Sequence, residues 1–155
     1  MAIAQGAGTE IIRCHNYSLV DSTEEILILG EAHHIYTVLS ITINAVALQA
    51  EGNYIQVKLS GWDSSKREAG AGTGQDIILF KQELNTAETF VWNDKFSFNG
   101  FEPLAGSMTA ALSTAAEQTA IAAQASAVSQ TLVIASENAG DNFDVIITFI
   151  DQNNA

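Results

Sequence analysis

The chain has 155 residues, 47% of them hydrophobic and only 15% charged, and its 18 acidic against 6 basic residues give a net charge of -12 at pH 7. This length predicts one domain with a single core, and the acidic balance argues against nucleic acid or an anionic membrane as the partner, because both would repel the chain. A charged fraction well below the usual quarter predicts a largely neutral surface of the kind that suits permanent protein contacts.

The first 25 residues are small, polar and mixed, with one alternating apolar piece at residues 10–14. We therefore expect residues 1–25 to form an arm that contributes at most one edge strand. A basic start followed by an apolar core of signal-peptide length is absent, as is a long run without polar groups. These features predict a protein that is made in a cytoplasm and does not use a membrane. Cys14 is the single cysteine, so no disulfide can form within the chain.

Residues 26–155 are expected to form one domain of about eight short strands. Alternating and β-branched segments predict strands at residues 26–29, 34–48, 54–62, 76–84, 89–92, 95–98, 131–136 and 143–151. The second of these should place Ile35, Thr37, Leu39, Ile41 and Ile43 on one face. We expect it to form a hairpin with residues 54–62, and we expect a turn at residues 93–94 to join the strands on either side. Many short strands with short turns predict a mainly β fold, an antiparallel β-sandwich or jelly roll.

An alanine-rich block, AGSMTAALSTAAEQTAIAAQASAVSQ, occupies residues 105–130 and has Glu117 as its only charge. Its alanine content favours a helix inserted into the sandwich, although serine and threonine leave an extended or looped excursion open. Such a helix is small and neutral almost all round, so we expect it to lie against another subunit. The expected subunit-interface residues are Met108, Leu112, Ile121 and Val128.

Two groups of residues have the chemistry to bind metal. Cys14, His15 and His34 would form a zinc site only if their segments paired, and they lack the spacing of known zinc motifs, so strand residues without a ligand are the preferred interpretation. Residues 141–144 contain two aspartates that suit a weak calcium loop, yet a polar turn between strands is favoured. No metal and no cofactor is therefore predicted.

Two further patterns have structural interpretations. The glycines at residues 70, 72 and 74 lack the lysine and the helix of a phosphate loop, and predict a hairpin tip. Aromatic residues in strands are usually core or interface residues, although a sugar-binding platform remains an alternative for Trp62, Trp92, Tyr36 and Tyr54. No set of residues meets the geometric roles of catalysis, so we expect no catalytic residues and no enzyme.

Over residues 32–152 the chain resembles small virion structural proteins of tailed bacteriophages. The resemblance is carried by HHIYTVLSITINAVAL, YIQVKLSGW, DIILF and QTLVIASENAGDNFDVIITFIDQ. It implies a β-sandwich or jelly roll that serves as a capsid decoration or cement protein in the virion, forms a homo-oligomer with a trimer favoured, and contacts other virion proteins such as the major capsid protein. The alternatives are a tail or neck component and a carbohydrate- or receptor-binding module. The alanine-rich block departs from the pattern, because the family has a short connection there.

Overall fold

The computed structural model describes residues 9–63, 74–102, 115 and 128–153, which are mostly β-strand. In these ranges the strands follow one another as β1 (Thr9–Val20), β2 (Glu25–Leu29), β3 (His34–Ala47), β4 (Tyr54–Asp63), β5 (Gly74–Glu83), β6 (Thr89–Trp92), β7 (Phe96–Asn99), β8 (Phe101–Glu102), β9 (Val128–Ser129), β10 (Thr131–Ser136) and β11 (Asn142–Asn153). The mainly β class predicted from alternation and β-branched residues is confirmed.

The strands form two main antiparallel sheets. Sheet A has five strands in the order β1-β11-β3-β6, with β7 also paired to β3, and sheet B has four in the order β2-β10-β4-β5. Because β6 and β7 pair with successive parts of β3, they act as one interrupted strand. When the short β8–β9 pair is set aside, the first strand pairs with the last (β1 with β11) and the second with the second-last (β2 with β10). The third pairs with the interrupted strand β6/β7, and β4 pairs with β5, as in a long hairpin that has been rolled up. This is the jelly-roll arrangement of a β-sandwich.

The core lies between the two sheets and is built from one face of each strand. In β11 buried and less buried residues alternate from end to end, so Phe143, Val145, Ile147 and Phe149 point inward. Sheet B contributes Ile55, Val57, Leu132 and Ile134, which are also buried. Full burial of a side chain of this size contributes roughly 1.5 to 3 kcal/mol, so this layer supplies most of the stability of the fold.

The face predicted for β3 is wrong over its first half. Ile41 and Ile43 are buried as predicted, but Tyr36 and Val38 are the buried residues at the start of the strand. The ladder to β11 shifts register at this point, where Phe149 pairs with Val38 and Thr148 pairs with Ser40. The extra residue, Leu39, is a β-bulge, and an extra residue exchanges the inward and outward positions of everything that precedes it.

The predicted hairpin between β3 and β4 is also wrong, because the two strands lie in different sheets. The turn between them carries the chain across the sandwich. The turn at residues 93–94 does not reverse the chain either, since β6 and β7 both continue along β3. The alternation of apolar and polar residues shows which strands are half-buried, but it is the same for a strand in either sheet. It therefore could not distinguish a turn within a sheet from a turn that crosses the sandwich.

The helical insertion is not supported. Val128 and Ser129, at the end of the block predicted as helix, form β9 and pair with Glu102 and Phe101 of β8. Of residues 103–127 only Ala115 lies within the described part of the chain. The β8–β9 pair does show that this stretch leaves and rejoins the sandwich at neighbouring points.

A tight backbone junction joins the end of β2 to β8 and β10. Gly30 N donates to the carbonyl of Gln130 at 2.9 Å, and Gln130 N donates to the carbonyl of Gly100 at 2.8 Å. A Cβ at Gly30 would overlap both of these carbonyl oxygens. Glycine is therefore required here by the close approach of neighbouring backbones.

Candidate functional site

Strand β1 is unusually exposed for a member of a sandwich. Nine of its twelve residues are exposed. The exposed residues include Ile12 and Cys14, which point away from sheet B, and also Ile11, Arg13 and His15, which alternate with them on the inward side. Because sheet B does not cover the inward side of β1 at Ile11, Arg13 and His15, this part of the strand is held mainly by its ladder to β11. Toward the end of β1, Tyr17 and Val20 pack against the core.

The outer edge of β1 is long, regular and uncharged overall. The ladder to β11 runs without interruption from Thr9 to Tyr17, and on its other side β1 has no partner among the described strands. Its only charged residues are Glu10 and Arg13, which cancel. Lysines, prolines and bulges, which usually protect an edge strand from pairing with another chain, are absent from residues 9–17.

The other sheet edges are shorter or more charged. Strand β2 has five residues and begins with Glu25, while β6 and β7 have four residues each. Strand β5 is longer but carries Asp76, Lys81 and Glu83. Among the described strands, β1 is thus the edge best suited to pairing with another chain.

The outer face of sheet A, which we define as the face that points away from sheet B, is neutral and partly apolar in its middle, with Glu10 and Asp144 toward its two ends. Two rows of cross-strand neighbours run over it, Ile12, Ile150, Thr37 and Ser97 in one and Asn16, Ile146, Thr42 and Val91 in the other. Ile12 is 71%, Val91 52% and Ile146 42% exposed. All eight residues are uncharged, so the rows form a flat neutral surface on a chain of net charge -12.

Strand β1 is fastened to the sandwich by a polar cluster on its inward side. Arg13 Nε donates to Asp151 Oδ2 at 2.9 Å, and His34 Nδ1 lies 2.6 Å from Asp151 Oδ1. His34 Nε2 lies 3.4 Å from a carboxylate oxygen of Glu31. Asp151 is buried, so both of its oxygens are satisfied by partners on neighbouring strands, as a buried carboxylate requires.

A cleft opens beside this cluster, between the edges of the two sheets. It has a volume of about 250 Å³ and is bordered by Arg13, His15, Glu31, Tyr36 and Asp151 together with residues 27–29 and Phe149. Burial, reinforced by the Asp151 and Glu31 carboxylates, raises the pKa of Tyr36 to about 12 although its oxygen accepts a hydrogen bond from Glu31 N. The cleft is the open side of the sandwich; the opposite side is closed by Phe80, Phe90, Trp92 and Phe96.

The four predicted interface residues are not tested by the geometry. Met108, Leu112 and Ile121 lie outside the described residues. Val128 is placed in β9, but its side chain is outside the described part. The feature that sequence reasoning missed is the exposure of β1, for which TEIIRCHNYSLV does contain a signal, because its apolar residues do not alternate as they do in a strand covered on one side.

The composite zinc site is not assembled. Cys14 points to the outer face, where it contacts Thr148, whereas the His15 ring stacks 5.6 Å from that of Phe149 on the inward side and His34 is engaged by Asp151. Within the ranges that the structure describes, no three histidine, cysteine or acidic residues come together as metal ligands.

The calcium alternative also fails, because the turn is held by hydrogen bonds to nitrogen donors. Asp141 accepts from Gln49 N, Asn53 Nδ2 and Asn138 N at 2.9, 2.7 and 3.1 Å. Its oxygens are therefore used to fix the turn, as the preferred interpretation predicted.

The aromatic residues considered for sugar binding are dispersed. Tyr36 is buried between the sheets, Trp92 packs 4.4 Å from Phe80, and the Tyr54 ring is covered by Lys81. The side chain of Trp62 lies outside the described part of the chain, as do residues 64–73 with two of the three loop glycines. In the described ranges there is no helix with the length and apolarity needed to cross a bilayer.

Comparisons with known proteins return remote structural likenesses only. No family model and no curated protein matches the chain. A chain from the disulfide-linked pili of Bacillus endospore appendages aligns with 10% identity and a TM-score of 0.42, covering 100% of this chain and 97% of that one. The Clostridium thermocellum xylanase 10B, with its CBM22-1 and GH10 modules, aligns with 10% identity and a TM-score of 0.41 over 92% of this chain and 26% of its own.

A chain from the Gt strain of infectious bursal disease virus aligns with 8% identity and a TM-score of 0.40 over 96% of this chain and 38% of its own. This chain thus spans well under half the length of the xylanase and of the viral chain. None of the three comes from a tailed bacteriophage. Likenesses this remote carry no conclusion about ancestry or function.

Proposed function

We propose that the chain is a non-enzymatic structural subunit of a virion, a capsid decoration or cement protein that acts by binding copies of itself and other virion proteins such as the major capsid protein. The observation that carries the proposal is the uncharged middle of the outer face of sheet A. This part of the face spans the strands of the sheet and includes exposed isoleucine and valine side chains. The virion as the location is supported by the sequence resemblance to phage structural proteins.

The negative charge of the chain makes a neutral area of its surface the favoured place for a contact between two copies. Two copies that each carry a net charge of -12 repel one another, so a stable contact forms most easily where the local charge is zero. Threonine and isoleucine on a flat sheet lose little side-chain entropy on contact, because their β-branched rotamers are already restricted. A neutral face of this kind suits a permanent contact better than transient recognition.

Self-assembly can be tested by sedimentation velocity of the full chain over a range of concentrations and salt. We expect an oligomer that strengthens with salt, since salt screens the repulsion between acidic copies. Ile146→Lys places a charge in the middle of the outer face and should weaken the oligomer or its binding to capsids. Ile78→Lys is the matched control, because Ile78 is also exposed but lies on β5 of sheet B. A chain that stays monomeric at every concentration and salt, and that does not bind capsids, would refute the proposal.

The number of copies per particle distinguishes a capsid location of the protein from a tail or neck location. A decoration protein on a closed shell is present in hundreds of copies, whereas a tail or neck component occurs in about a dozen, as the ring symmetry of such components dictates. Band intensity relative to the major capsid protein, measured on purified particles, separates the two. A low copy number would move the same structural role to the tail or neck.

A further inference from the structure

We infer that the outer edge of β1 pairs antiparallel with β1 of a second copy, which joins two five-stranded sheets into one continuous sheet across a two-fold axis. The inference rests on the proposed self-assembly and specifies one contact of it. It uses the outer edge of β1 as the contact, whereas the proposed function uses the outer face of sheet A. Because Ile12, Cys14 and Asn16 lie on that face as well as at the edge, the two contacts are separated by disulfide trapping at Cys14 and by recovery in a charge-exchanged double variant.

The backbone of β1 is suited to pairing with a further strand on its outer side. Alternate residues of an edge strand present unpaired N–H and C=O groups to the side, and a second strand satisfies them as a ladder. In β1 the regular stretch extends to Tyr17, beyond which the register shifts and Leu19 adopts a positive φ of 60°. The regular part of about nine residues is about 30 Å long, which is enough for a full ladder.

The charge of the β1 edge indicates which partner it binds. The edge has no net charge, whereas the chain as a whole is strongly acidic. A partner selected by charge would be basic and would dock on the acidic parts of the surface. A second copy of this acidic chain would be repelled by the acidic parts of the surface, so it can bind only where the local charge is close to zero. The β1 edge is such a place.

The side chains of β1 favour one register of this pairing. Pairing in a continuous sheet places residues of the same face opposite one another, so the two-fold axis passes through a residue position. An axis at Arg13 would put two guanidinium groups side by side, which is unfavourable. An axis at Cys14 instead places Cys14 opposite its counterpart, Ile12 opposite Asn16, and Arg13 opposite His15.

Such a pairing is isologous and closes at two copies. It therefore predicts a dimer as the unit of assembly, in place of the trimer that the sequence resemblance implied. Edge pairing alone buries less than the roughly 800 Å² per partner of a standard interface, so the dimer is expected to dissociate on dilution. A covalent trap suits a contact of this strength.

The trap is oxidation of the single cysteine in the full-length chain with copper phenanthroline, followed by non-reducing gel electrophoresis. Cβ atoms directly opposite on antiparallel strands are close enough for a disulfide. We expect the wild type to form a disulfide dimer at least tenfold faster than a Cys14→Ser, Val91→Cys variant, whose cysteine is exposed on the same sheet but far from β1. Equal rates would overturn the inference, whereas faster trapping in a Cys14→Ser, Ile12→Cys variant would overturn the Cys14 register.

A charge exchange tests the register without cysteine chemistry. Ile12→Glu should weaken the dimer about tenfold in sedimentation, since it adds negative charge to both copies. Adding Asn16→Lys should restore the dimer to within about threefold, because the Cys14 register brings each new carboxylate opposite a new ammonium. Failure of the double variant to recover would overturn this register. Oligomers that respond to Ile146→Lys but to none of the β1 variants would overturn the edge pairing while leaving the proposed function intact.

Discussion

The side chain of Asn53 donates a hydrogen bond of 2.7 Å to the carboxylate of Asp141, and this bond ties the β3–β4 turn to the β10–β11 turn at one end of the sandwich. Although burial of Asp141 acts in the opposite direction, the donors Gln49 N, Asn53 Nδ2, Asn138 N and the Ser136 hydroxyl together lower its pKa. The two turns are far apart in sequence, so this carboxylate is a long-range cross-link between them.

Replacement of Asp141 by Asn should therefore destabilise the protein and change its response to acid. We expect a loss of roughly 1 to 3 kcal/mol at pH 7, because the amide cannot accept from all the donors. A lowered folded pKa gives stability that is present above the unfolded value near 3.8 and lost as the pH falls through the folded value. Urea unfolding between pH 2 and pH 7 should thus show a smaller loss of stability in acid for Asp141→Asn than for the wild type.

The control for this prediction is Asp94→Asn, which alters an exposed carboxylate in the connection between β6 and β7. It should leave the free energy of unfolding within about 0.5 kcal/mol. If both variants behaved alike, the cross-linking role of Asp141 would be wrong.

Gly30→Ala should be far more damaging than Gly52→Ala. A Cβ at Gly30 would overlap the backbone oxygens of Gly100 and Gln130, which cannot move without breaking the junction of β2, β8 and β10. At Gly52 the φ of 82° strains any other residue, but no atom lies within 4 Å of the new Cβ. We expect a cost of about 1 kcal/mol at Gly52 and at least about 3 kcal/mol, or failure to fold, at Gly30. Thermal unfolding of both variants decides, and similar losses would contradict the steric argument.

Arg13→Ala should loosen β1 without unfolding the sandwich. The substitution removes the 2.9 Å bond to Asp151 but leaves His34 as a partner for that carboxylate. Because β1 is exposed and lies at an edge, its opening is local. We expect amide exchange in peptides of β1 to rise about tenfold, while β3 and β4 stay protected. Asn16→Ala is the control on the outer face, and uniform acceleration in all strands would count against a local role for Arg13.

Tyr36 should titrate last among the tyrosines. Its pKa is raised to about 12, with burial as the main cause, and that of Tyr17 is raised by burial and then by Glu25. A raised folded pKa gives stability that is complete below the unfolded value near 10 and is lost as the pH rises through the folded one. In a spectrophotometric titration Tyr36→Phe should remove the step of highest pH. Loss of a step near pH 10 instead would contradict the burial of this hydroxyl.

Residues 103–127 should be removable without loss of the fold, because Glu102 and Val128 are paired on neighbouring strands. We expect replacement of this stretch by a turn of about four residues to leave the melting temperature within about 5 °C. If Met108, Leu112 and Ile121 are interface residues, the shortened chain should also assemble less well. A Leu112→Ser, Ile121→Ser variant of full length is the matched control, and normal assembly of both would refute these contacts.

The sequence was sufficient to locate most strands, because β-branched residues and alternation mark half-buried extended chain wherever they occur. The ends of β6 and β10 agree with the prediction, and the jelly roll follows from the number and spacing of the strands. The assignment of strands to the two sheets could not be predicted from the sequence, because turns within a sheet and turns across the sandwich have similar composition. The bulge at Leu39 was equally hidden, because an extra residue in β3 is defined only by its pairing with β11.

The candidate site was less accessible to prediction than the fold. Arg13, His34 and Asp151 meet only because the first strand pairs with the last, and no local motif marks them. The exposure of β1 depends on sheet B being too narrow to cover it, which is a property of the packed sheets.

The pairing of β1 with β11 also determines when the protein can fold. Sheet A has β11 between β1 and β3. Among the described strands, β1 therefore has no partner in the sheet, and β3 has only β6 and β7, until β11 has been made. Such distant pairings are formed slowly, because a long loop must close before the contacts stabilise it. During synthesis on the ribosome β1, which has no net charge, is exposed on both edges, and neighbouring nascent chains could pair there prematurely. The strong negative charge of the rest of the chain keeps such nascent chains apart until β11 has closed one of those edges.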